Sequence, residues 1–156
     1  MDQAISKKNA IIRQSEVEDF FNQYESNFNA ALAGSNGDVD STVNSFASEF
    51  IEASPLGVIA GKNNDKFKES ITKGWAFYKQ VGISAMNIFS KQVTILDQFH
   101  AIVKVGWNCS FTRKDGTNGE IAFDIFYLIQ KKDGIRIFAY ITGDEQQALK
   151  DAGLTP

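Results

Sequence analysis

Asp124 is the residue of this chain whose surroundings most suggest chemistry. It interrupts Ile121-Ala-Phe-Asp-Ile-Phe-Tyr-Leu-Ile129, the most apolar run of the sequence. A carboxylic acid buried in such a strand stays neutral and donates a hydrogen bond, as a catalytic acid or an anion-stabilising group must. The competing reading is an acid that faces solvent and answers a nearby Lys or Arg. Tyr140 follows one hairpin later and supplies a hydroxyl. With a glycine bulge at Asp133-Gly134, Phe126 opposes Tyr140, Asp124 opposes Thr142 and Gln130 lies beside Arg136. A two-residue turn slips the register by one and breaks that grouping. His100, the only histidine, starts a strand beside a turn. No carboxylate is placed in sequence to orient it, so exposure is expected rather than acid/base work. Cys109 is the only cysteine and lies among Val105, Trp107 and Phe111, the setting of an inert buried thiol.

Helices and strands must position these groups. Ser15 and Glu18 form a capping-box pattern, and Val17, Phe20, Phe21, Tyr24, Phe28 and Leu32 follow at steps of three and four. Gly34 ends that helix and GSNG makes a loop. Asp38 caps a shorter helix carrying Val39, Val43, Phe46 and Ala47. Phe50 to Ala53 reads as a short strand ended by Ser54-Pro55, with a loop from Leu56 to Gly61. Asn63 or Asn64 caps a third helix, whose apolar face is Phe67, Ile71, Trp75, Tyr78 and Val81, and Gly82 stops it. Four strands follow, within Ile88–Leu96, Phe99–Arg113, Ile121–Lys131 and Ile135–Thr142. The second alternates cleanly, whereas the third is apolar on both faces.

Helices followed by a strand meander describe an α+β fold, a cone-shaped curved antiparallel sheet wrapped around three N-terminal helices. The expected organisation is a flexible lead-in at 1–14, one barrel-like domain at 15–143 and a polar tail at 144–156 with a short helix in it. Such a cone encloses a cavity, and the 13 Phe, four Tyr and two Trp can line it as well as fill a core. Tyr24, Phe28, Trp75 and Tyr78 stand on the helix faces that look inward, either as ligand contacts or as ordinary core.

The chain has 156 residues, 43% hydrophobic and 22% charged, enough for one sizeable core. Its net charge of -3 is spread without a basic stripe, so nucleic acid is not an expected partner. No stretch approaches the ~20 apolar residues of a membrane span, and the N-terminus lacks a signal-peptide core. A cytoplasmic location is expected. No CxxC, HExxH, GxGxxG, Walker or GxSxG string occurs, so neither metal nor cofactor is expected.

Two local strings carry a likeness. Phe28-Asn-Ala-Ala-Leu32-Ala-Gly, and Phe46-Ala-Ser-Glu-Phe-Ile-Glu-Ala-Ser54-Pro55-Leu56-Gly57, resemble the first-helix ending and the proline loop of the nuclear-transport-factor-2-like superfamily. That group includes SnoaL-like proteins and ketosteroid isomerases, and the likeness spans roughly residues 15 to 143. It implies a cystatin-like fold. The isomerases need a carboxylate base before the proline, a tyrosine in the first helix and a protonated aspartic acid on a late strand. Those positions fall on Ser54, Phe28 and Asp124 here. Ser54 cannot abstract a carbon-bound proton and Phe28 has no hydroxyl, so ketosteroid isomerase activity is not expected. Dehydratases of the scytalone type use two histidines, and one is present. The group's epoxide hydrolases use an Asp-Arg-Asp set, of which Asp124 and Arg136 supply part.

Three functional readings follow. The first is a SnoaL-like protein that binds a small, mostly apolar molecule bearing one carbonyl, hydroxyl or carboxyl group. Its pocket draws on Tyr24, Phe28, Ser54, Trp75, Tyr78 and Phe126, with Asp124 and Tyr140 as polar anchors. The second is an isomerase, cyclase or dehydratase using Asp124 as acid or base. The third is a protein-interaction domain with no small-molecule role. A homodimer through the sheet is also expected, because the second and third strands carry more apolar surface than three short helices cover. Trp107 is a candidate for that interface.

Overall fold

The computed structural model describes residues 11–34 and 38–156. The lead-in at 1–10 and the GSNG residues 35–37 lie outside the described residues. Helix α1 (Gln14–Leu32) starts ahead of the expected capping box: its N-cap is Arg13, with no side-chain cap bond. Tertiary anchoring takes the place of a cap. Ile12 is buried, and its amide donates to the Gln98 carbonyl at 2.8 Å. The chain is therefore tied down before residue 14. In α2 (Val39–Asn44) the Asp38 carboxylate accepts from the Ser41 amide at 2.9 Å. Phe46 and Ala47, expected in this helix, instead open a strand.

That strand, β1 (Phe46–Ser54), pairs with β2 (Gly57–Lys62), and Ser54 sits opposite Gly57. The segment expected as a loop after the proline is thus a second strand. Pro55 occupies the turn itself, where it needs no ladder bond, so it reverses the chain rather than ending the sheet. Helix α3 (Asp65–Val81) is capped by Asn64, whose Oδ1 accepts from the Phe67 amide at 3.1 Å. It ends at Gly82, whose φ of +106° suits glycine. An added Cβ there would meet the Thr112 carbonyl oxygen at 2.1 Å.

The meander comprises β3 (Ile83–Ile95), β4 (His100–Thr112), β5 (Asn118–Lys131) and β6 (Ile135–Ile141), followed by α4 (Glu145–Asp151). Strand order is β2-β1-β6-β5-β4-β3. The meander returns its last strand beside β1, running the same way, so the sheet is mixed rather than wholly antiparallel. It is curved and open, not a closed barrel: β2 and β3 remain its edges. Helix α1 covers the β3 edge with side chains. Asn29 donates to the Met86 carbonyl at 2.7 Å and accepts from the Met86 amide at 2.8 Å, and the Glu25 carboxylate accepts from the Ile88 amide. Edge backbone groups that would otherwise be orphaned are thereby satisfied.

The inner face of β4 is the alternation read from sequence. Ala101, Val103, Val105, Trp107, Cys109 and Phe111 are at most 3% exposed, so Trp107 belongs to the interior and not to an interface. The tail is not a separate segment. Leu149 and Leu154 join the core, and the Arg113 Nε donates to the Ala152 carbonyl at 2.8 Å.

The last hairpin corrects the expected pairing. Its turn places Asp133 at φ 54° and Gly134 at φ 109°, and Gln130 does oppose Arg136. Between the Ile129–Ile137 and Leu128–Ala139 pairs, however, Phe138 forms a bulge. Beyond it every pairing moves by one residue. Tyr127, not Phe126, opposes Tyr140, and Phe126 opposes Ile141.

Candidate functional site

The inner wall divides along its strands. Val103, Val105 and Ile129 pack with Val17 and Phe21 of α1. Further along, Trp107, Cys109, Ile121, Phe123, Ile125 and Tyr127 border an unfilled cavity of about 510 Å³. The opposite wall is α3, through Phe67, Ile71, Trp75 and Tyr78. Gly74 lies among them, and an added Cβ there would meet no atom within 4 Å. Glycine in a helix interior costs up to ~1 kcal/mol relative to alanine. Here it leaves the cavity wall open.

Tyrosines supply most of the polar surface. Tyr24 lies deep in the cavity, and burial pushes its hydroxyl up to about 12. The Tyr127 hydroxyl accepts from the Trp107 Nε1 at 3.1 Å, and burial raises its pKa as well, with Tyr24 adding to the effect. Tyr140 is raised by burial first and then by the charge of Glu52, its neighbour across the β1–β6 pair. These hydroxyls stay protonated at neutral pH. Burial pushes the Cys109 thiol up to about 11, which keeps it un-ionised and inert.

Three carboxylates, of Glu52, Asp144 and Glu145, border the same space. Glu52 follows Phe46 and Phe50 on the inner face of β1. Glu145, at the start of α4, accepts a hydrogen bond from the Tyr78 hydroxyl. Loss of solvation raises the Glu145 pKa, and the Glu52 charge raises it further. Among the described residues, no Lys, Arg or His lines the cavity.

The expected site residues therefore separate. Tyr24, Phe28, Trp75, Tyr78 and Tyr140 come together around the cavity. Asp124, Phe126 and Ser54 do not. Asp124 and Phe126 have the parity of the outer face of β5. The Asp124 side chain is 46% exposed and lies 3.8 Å from the Lys104 Nζ, and that ammonium also sits over the Phe126 ring. Ser54 shares the parity of Glu52, but it lies in the hairpin turn, where its Oγ accepts from the Leu56 amide at 3.1 Å. His100 is also better oriented than expected: its Nδ1 lies 2.8 Å from the Asp97 Oδ1, at the β3–β4 turn and outside the cavity. Sequence reading missed Glu52 and Glu145. The first was legible as the continuation of the Phe46–Phe50 alternation, and the second was hidden in a segment read as tail.

The family model described as NTF2-like protein (DUF6841) matches residues 15–145. No curated protein matches the chain. Solved structures agree on the fold. An NTF-2-like protein of unknown function from Shewanella oneidensis is 15% identical, with a TM-score of 0.62, over 85% of this chain and 100% of that one. A ketosteroid isomerase-like protein from Erwinia carotovora is 17% identical, with a TM-score of 0.59, over 83% and 93%. An NTF2-like protein with a cystatin-like fold from Novosphingobium aromaticivorans is 12% identical, with a TM-score of 0.64, over 92% and 88%. At these identities the neighbours speak for the fold alone. The family match covers most of the chain together with the helices, the sheet and the cavity between them, and so this protein belongs to the NTF2-like family DUF6841.

Proposed function

We propose that this chain binds a small, mostly apolar molecule in the aromatic cavity between α3 and the sheet. The observation that carries the reading is the 510 Å³ space itself, left unfilled beneath Gly74 and walled by aromatic side chains. Cavities of 300–1,000 Å³ with an apolar lining and a few polar groups are the usual form of a small-molecule site. Glu52, Glu145 and the Tyr24 and Tyr140 hydroxyls provide those groups, in place of the Asp124 anchor expected from sequence.

A second reading is acid/base turnover of the bound molecule. The raised pKa of Glu145, at the edge of the cavity beside the Tyr78 hydroxyl, favours it, since a carboxyl that holds its proton more tightly can serve as an acid. The chain's activity would then depend on Glu145 and not on Asp124.

Intrinsic fluorescence tests the binding reading directly, because both of the chain's tryptophans, Trp75 and Trp107, border the cavity. Titration with small alicyclic alcohols should shift the emission saturably, and Gly74→Phe should abolish the shift while the fold survives. A response that persists unchanged in the filled variant would place binding elsewhere.

A further inference from the structure

Resting on that binding reading, we propose that the molecule is an organic cation: a small apolar body carrying an amine bound as its ammonium. Three features of the cavity point this way. First, its charge is one-sided. Glu52 from β1 and Glu145 with Asp144 from the start of α4 border it, and no basic side chain among the described lining residues answers them. A ligand carboxylate would enter against these carboxylates with no cationic side chain to meet it, a cost that works as discrimination.

Second, the two glutamates are near enough for the charge of one to act on the other. An ammonium between them would offset that repulsion and add a charged donor to the Tyr78 hydroxyl that already meets Glu145.

Third, the walls suit a cation. The Phe28 and Tyr78 rings stack at 5.8 Å on the side where Tyr78 also reaches Glu145. Aromatic faces attract an ammonium, more strongly where water is excluded. The Tyr24 hydroxyl lies deep in the same space and makes no hydrogen bond with the described residues. It is thus left able to accept from an ammonium N–H. The ammonium takes the place of the carbonyl, hydroxyl or carboxyl group expected from sequence, and of those three the carboxyl is the one that the cavity opposes.

Three matched probes test the inference: adamantylmethylamine, adamantylmethanol and adamantanecarboxylate. They are bulky and transparent at tryptophan wavelengths. Titrated at pH 7 and followed by the emission of Trp75 and Trp107, the amine should bind about tenfold tighter than the alcohol, and the carboxylate weakest. Glu52→Gln and Glu145→Gln should each weaken amine binding about tenfold and weaken alcohol binding by less, so that the preference for the amine is lost. Gly74→Phe should abolish both. Alcohol binding equal to or tighter than amine binding overturns the cation proposal and leaves the binding reading intact, as does carboxylate preference. Amine binding that survives Gly74→Phe marks an acidic surface instead and also overturns it. If none of the three probes is bound, the cation proposal and the binding reading fail together.

Discussion

Glu145 is a cavity carboxyl whose chemistry the fold changes. Its carboxyl loses solvation at the cavity and feels the charge of Glu52, so its pKa in the folded chain lies above the ordinary value. At pH values below the ordinary carboxylate pKa the group is protonated in folded and unfolded chains alike, and it costs nothing. As pH rises, the unfolded chain releases the proton first, so stability falls until the folded pKa is passed. Glu145→Gln should therefore gain in urea midpoint over the natural chain between pH 4 and pH 7, with little difference at pH 4. A difference that stays flat with pH would contradict this. The same substitution is predicted to weaken amine binding, and that opposition of signs is the usual mark of a site that gives up stability for function. Asp124 shows the converse. The sequence surrounds it with apolar neighbours along the strand, yet those neighbours occupy the other face or sit beside it in the open, and its partner is the exposed Lys104.

At the scale of elements, two glycines of α3 and its cap carry opposite consequences for the same substitution. Gly74 is inside the helix, with open space where a Cβ would go, so Gly74→Ala should stabilise by up to ~1 kcal/mol. Gly82 closes the helix at φ +106°, against the Thr112 carbonyl oxygen. Gly82→Ala should destabilise by more than ~1 kcal/mol, from backbone strain and the clash together. Chemical denaturation of the two variants checks the pair, and like signs would refute the account of α3 as a wall held open by glycine. The stripe Phe67, Ile71, Trp75 and Tyr78 was legible because a helix buries one face whatever lies opposite. What lies opposite was not legible: a packed core and an empty cavity ask for the same side chains.

On the scale of the whole molecule, the outer face of the sheet leaves apolar side chains uncovered, as does the β1–β2 hairpin at Leu56, Val58 and Ile59. Phe126 is 38% exposed, Ile141 beside it 48% and Phe89 62%, with the helices occupying the other side of the sheet. We propose that a second copy covers this outer face, as a self-complementary patch does in a two-fold dimer. Sedimentation at micromolar concentration should report a dimer, and Phe126→Glu should give a folded monomer. A natural chain that sediments only as monomer at that concentration would remove the proposal. Among the described residues, no helix is long and apolar enough to cross a membrane.

Local physics made much of this protein readable from its residues alone. Helical stripes, Asx caps at Asp38 and Asn64, the stop at Gly82 and the strict alternation of β4 all arise within a few residues of themselves. They establish the helices-then-meander order, and with it the α+β class. Which face of β5 turns inward was beyond their reach, because a strand apolar on both sides has no preferred parity. Tertiary structure decided it. The bulge at Phe138 moved Tyr140 opposite Tyr127, the parallel return of β6 set Glu52 beside Tyr140, and the docking of Leu149 and Leu154 brought Glu145 to Tyr78. Each is a contact between segments distant in the chain, and it is such contacts that left Asp124 outside and assembled a different acidic pair within.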